Sequence, residues 1–62
     1  MTGKQFELIR REMELTQVQL AELMELGETT VVRIESKKKV KKIYALAIKQ
    51  LQGDKNAKNQ ID

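Results

Sequence analysis

Sixty-two residues with a net charge of +3 and no cysteine, histidine or proline make one small domain, near the lower size limit for folding without a metal or disulfides. Without Cys and His there is no disulfide framework, no thiol nucleophile and none of the commonest metal ligands, so neither a metal, a cofactor nor an enzyme is expected. No apolar run approaches a membrane span and the N-terminus lacks a signal-peptide core, which leads to an expectation of a cytoplasmic, wholly helical chain.

Thr2 can cap a first helix, with Gln5 three residues on completing a capping box. Phe6, Ile9 and Met13 then form an apolar stripe at helical spacing, with Arg10 beside it. Glu14-Leu15 must carry the turn into Thr16, where glycine would be the natural residue near position 14. Leu15 is placed to pack as the staple before the next cap.

Thr16 and Gln19 form a second capping box. Leu20, Ala21 and Met24 follow at helical spacing, which predicts a second helix from Gln17 to Met24 or Glu25. Leu26-Gly27 interrupts the pattern. A third helix is predicted from Glu28 to Glu35 or Ser36, with Val31 and Ile34 inward. Helix, glycine-bearing turn and second helix are the outline of a helix-turn-helix.

The run Lys37-Lys38-Lys39-Val40-Lys41-Lys42 is too charged for a core and reads as a connection. A fourth helix is predicted from about Lys41 to Leu51, with Ile43, Leu46, Ala47 and Leu51 facing inward. Residues 1–51 would then be the folded domain. Residues 52–62, polar and opening on Gly53, are expected to be a frayed or disordered tail with only Ala57 and Ile61 apolar.

Charge is distributed unevenly. Residues 1–31 carry three cations against six carboxylates, a net of −3, while residues 32–62 carry nine against three, a net of +6. A lysine cluster alone reads equally well as a solvated face or as a polyanion contact. Its place directly after the second helix of a helix-turn-helix favours a nucleic-acid partner.

Ile9-Arg10, Leu15-Thr16-Gln17, Leu20-Ala21, Leu26, Val31 and Ile34-Glu35 resemble the Cro-like, phage-repressor helix-turn-helix family over roughly residues 5–48. The resemblance implies an all-α, compact four-helix repressor-like domain, with the family's fifth helix missing or vestigial. It departs from the family at Glu25, where glycine is usual, and at Gly27, where a serine or threonine cap is usual. In the ungapped alignment Glu25 occupies a tight-turn position, at a cost of order 1 kcal/mol if left-handed.

By the same resemblance, Arg10 and Glu35 would form an ion pair tying the first helix to the end of the third; otherwise they are unrelated surface charges. Gln17, at a helix N-terminus, would contact a DNA phosphate, or else be merely solvated. The third helix would enter the major groove, with Glu28, Thr29, Val32 and Arg33 toward the bases. Arg33 can donate twice to guanine, and Thr29 could bond a base or a phosphate. Val32 would meet a thymine methyl or add to the core beside Val31. Glu28 suits the helix dipole, or would accept from cytosine N4. Thr30, at the boundary, and Lys37, Lys38, Lys39, Lys41 and Lys42 are assigned to phosphates.

The expected function is a prokaryotic or phage-type transcriptional regulator, of repressor type, that binds a palindromic operator on double-stranded DNA as a homodimer. The alternatives are an antitoxin that autoregulates its operon and binds a toxin, or a protein-interaction module on the same fold. Interleaved glutamates argue against a membrane-surface peptide.

Overall fold

The computed structural model describes residues 1–61, with side chains described through Asp54; the side chains of residues 55–61, Ala57 and Ile61 included, and the whole of residue 62 lie outside it. Four helices and no strand are found among the described residues: α1 (Gly3–Glu12), α2 (Gln17–Leu23), α3 (Glu28–Ser36) and α4 (Lys42–Ile61). The protein is an all-α four-helix domain.

The first two helices begin with the same chemistry. The Thr2 hydroxyl accepts from the Gln5 N–H at 3.1 Å while the Gln5 side-chain oxygen accepts from the Thr2 N–H at 2.8 Å. Thr16 and Gln19 repeat the exchange at 3.1 and 2.9 Å. Each box satisfies two backbone donors that a helix start leaves without partners. The residue before each N-cap and the fourth helical residue also recur as an apolar pair: Met1 with Phe6, Leu15 with Leu20, Leu26 with Val31. All six belong to one core cluster.

The two turns share a backbone solution. After α1, the Leu15 N–H reaches the Arg10 carbonyl and the Glu14 N–H reaches that of Arg11. After α2, the Leu26 N–H reaches Ala21 and the Glu25 N–H reaches Glu22. This is the Schellman pattern, which needs a left-handed residue just past the helix. Here that residue is a glutamate both times, with φ of 60° at Glu14 and 56° at Glu25. Glu25 thus occupies the tight-turn position in a left-handed conformation.

The core consists of Phe6, Met13, Leu20, Ala21, Val31, Ile34, Val40 and Ile48, with Ile9, Leu15, Met24, Leu26, Tyr44, Ala45 and Leu51 packed against it. α3 packs on both α1 and α2, and α4 packs on α1.

Two expectations about α4 are corrected. Its inward face is Tyr44, Ala45, Ile48 and Leu51, whereas Ile43 is 70% and Leu46 58% exposed. Residues 43–48 are all apolar or aromatic, so the stretch itself does not set the helix phase. Val40 does: buried at the helix entry, it continues into Tyr44, Ile48 and Leu51 at helical spacing. The second correction concerns the end. The backbone stays helical through Gly53 to Ile61 instead of stopping near Gln52. A glycine inside a helix costs about 1 kcal/mol but ends it only by turning left-handed. No glycine in the described chain has a positive φ.

Candidate nucleic-acid interface

Beneath the candidate surface lies a buried polar cluster. Arg10 of α1 donates from Nε to Oε2 of Glu35 at 2.6 Å and from a terminal nitrogen to Oε1 at 3.3 Å. Its remaining terminal nitrogen donates to the Leu15 carbonyl at 2.8 Å. The two side chains are only 10% and 6% exposed, which makes this a desolvated, two-pronged pair of the kind arginine favours. Gln17, at the first position of α2, donates its side-chain amide to Oε1 of the same Glu35 at 3.0 Å. One carboxylate thus joins α1, the start of α2 and the end of α3.

Of the two readings open for Arg10 and Glu35, the ion pair that the resemblance implies is the one found, and Gln17 joins it unforeseen. The amide has two hydrogens and Glu35 takes one, so Gln17 is oriented and keeps a second donor. No buried side-chain polar atom is left without a partner among the described residues. The polar cluster is satisfied where it would otherwise destabilise the domain.

Above the cluster, α3 buries Val31 completely and Ile34 nearly so. Helical geometry then turns Glu28, Thr29, Val32 and Arg33 outward, and all four are exposed. Val32, for which two placements were open, lies on the outer face at 44% exposure. Thr30 is half-buried at the edge. Glu28 occupies the first turn of α3, where its charge complements the dipole. The cap before it is Gly27, which offers no side-chain hydrogen bond.

The lysines come directly after α3, and Lys37, Lys38, Lys39, Lys41 and Lys42 are all exposed. The segment carrying them is tied to the chain start at two points, Lys37 and Val40. The Gly3 N–H donates to the Lys37 carbonyl at 2.9 Å, and the Val40 N–H donates to the Met1 carbonyl at 2.8 Å. Val40 itself is buried, so the connection is not wholly outside the core as its charge suggests.

Gly3 and Val40 are the positions that sequence reasoning missed. A Cβ at Gly3 would strike the backbone carbonyl oxygens of Glu35 and Lys37. A glycine in the first turn of an otherwise well-capped helix was the available signal, because it weakens the helix unless close approach requires it.

The arrangement brings together an outward helix face bearing Thr29, Val32 and Arg33, an oriented amide at a helix N-terminus, and an anchored row of ammonium groups. Such a surface can accept anions along its edges and offer directional donors at its centre. No family model, curated protein or solved structure matches this chain.

Proposed function

We propose that the protein is a sequence-specific DNA-binding regulator of repressor type whose third helix lies in the major groove of a palindromic operator. The observation that carries this reading is the outward placement of Thr29, Val32 and Arg33 on a helix that runs directly into five exposed lysines anchored through the Gly3 and Val40 backbone bonds. Arg33 supplies paired donors suited to guanine O6 and N7, and Val32 an apolar surface suited to a thymine methyl. The lysines and the free donor of Gln17 hold phosphates and set the orientation without reading sequence. Glu28, repelled by phosphate, penalises any base pair that does not offer it a donor. Two copies are needed because one such helix reaches few bases, and a palindrome supplies two equivalent half-sites.

Selection from random duplexes at two salt concentrations tests the proposal. Enrichment of a palindrome with half-sites about one helical turn apart is expected. Arg33→Ala then costs about 1–3 kcal/mol and relaxes selectivity at one base pair per half-site. Replacing one contacting lysine weakens all sequences alike and flattens the salt dependence by about one unit of slope. Recovery of salt-sensitive but sequence-blind binding would sink the operator reading. A titration that moves no NMR signal from Thr29, Arg33 or the lysines would leave the protein-interaction alternative in its place.

A further inference from the structure

The face of α4 turned away from the core is more apolar than a solvated helix face needs to be. Ile43 and Leu46 are 70% and 58% exposed, and Leu23, on the neighbouring end of α2, is 56% exposed. Between α2 and α4 lies a shallow depression of about 200 Å³ lined by Leu23, Met24, Ala47, Gln50, Leu51 and Asp54. It falls below the roughly 300 Å³ at which small-molecule sites begin, but it can admit one aliphatic side chain.

The projection and the α4 side of the depression lie on the same helix, about one to three turns apart. Ile43 stands out at the start of α4, and the depression begins at Ala47 and continues to Asp54. We infer that this face pairs with the same face of a second copy: Ile43 of each chain enters the partner's depression beside Leu23, with the two α4 helices antiparallel and crossing near Leu46 and Ala47. A two-fold axis there makes the contact isologous, each chain giving one knob and one hole. The small Ala47 at the crossing lets the helices approach closely.

Charge favours a second copy over an unrelated occupant. The knob is flanked by Lys41 and Lys42, and the hole is bordered by Asp54, with Glu22 and Glu25 exposed at the adjoining end of α2. An antiparallel pairing sets Lys42 of one chain against Asp54 of the other, twice, and it opposes the two helix dipoles. A parallel pairing would set like charges together. Among the residues with described side chains, the face from Ile43 to Asp54 covers about 16 Å of helix, and the area it can bury falls at the low end for specific interfaces. The dimer is therefore weak in free solution. The inference extends the operator reading, which calls for two copies, yet it is tested without DNA.

Sedimentation equilibrium and an NMR dilution series on the full chain, without nucleic acid, are the test. Reversible association into the millimolar range is expected, with concentration-dependent shifts at Leu23, Ile43, Leu46 and Ala47. Ile43→Lys, at a site too exposed to matter for folding, weakens association by about tenfold or more by placing a charge in the apolar depression. Lys42→Glu weakens it less, and adding Asp54→Lys to that variant recovers it. A chain that stays monomeric throughout the series, shifts that map to α3, or association unchanged in Ile43→Lys would each overturn the inference. So would capture of a different protein on this face by a chain that does not self-associate. A dimer that enriches no duplex would leave this inference standing and remove the operator reading.

Discussion

At the end of α1 the chain turns through Glu14 at φ 60°, and at the end of α2 it turns through Glu25 at φ 56°. Both turns close with the same pair of backbone hydrogen bonds. The helix starts beyond them are secured differently. The first turn leads into Thr16, whose hydroxyl caps α2, and its Leu15 carbonyl is gripped by Arg10. The second leads into Gly27, which has no side-chain cap, and α3 starts on the backbone and the burial of Leu26 and Val31 alone. The first turn belongs to the scaffold and is held redundantly. The second opens the helix that faces the proposed ligand, and it is held by less. The near end of α3 thus lacks the side-chain support that Glu35 gives its far end.

Breaking the redundancy of the first turn gives the largest expected effect. Glu35→Ala strands the buried Arg10 and releases Gln17 together, and is expected to cost about 3–5 kcal/mol in urea unfolding. That is a large share of the stability of so small a domain. A midpoint within error of wild type would show the pair to be energetically idle. Thr16→Ala removes the cap that distinguishes the two turns and is expected to cost about 1 kcal/mol. If it costs nothing, Arg10 alone secures the entry to α2.

The third effect tests what the turns share. Glu14→Gly and Glu25→Gly each relieve a left-handed side chain, about 1–2 kcal/mol, against glycine's added entropy of about 0.5–1 kcal/mol. Each is expected to stabilise by roughly 0.5 kcal/mol, and equally, since the backbone geometry is equal. Unequal gains would mean that one glutamate has a further role. The smallest effect is at Gly27→Ser, which supplies the missing cap. A Cβ there meets nothing within 4 Å, and a gain of a few tenths of a kcal/mol is expected. Slower amide exchange in the first turn of α3 would accompany it; a loss of stability would show that Gly27 is not an ordinary cap site.

The parts of the fold written in short range were readable from the residues. Thr2-Gln5 and Thr16-Gln19 announce helix starts because a cap acts within one turn. Val31 and Ile34 announce the inner side of α3 because the residues around them, Val32 apart, are polar. The outward placement of Thr29 and Arg33 comes from that face directly. In α4 the residues give no such signal: six consecutive apolar or aromatic residues, 43–48, carry no periodic contrast. Gly53 misled for a related reason, since a glycine stops a helix only where the chain must turn back.

Residue types and their spacing alone determined four helices and two capping boxes, which depend on partners within a few residues. The pairing of Arg10 with Glu35 and the tight-turn place of Glu25 came from the family resemblance. Tertiary packing decided which side of α4 is buried, why position 3 must be glycine, where Val40 sits and which carboxylate orients Gln17. Those outcomes depend on surfaces brought together from distant parts of the chain. Burial of apolar area has no direction of its own, so a uniformly apolar helix takes its orientation from whatever it packs against.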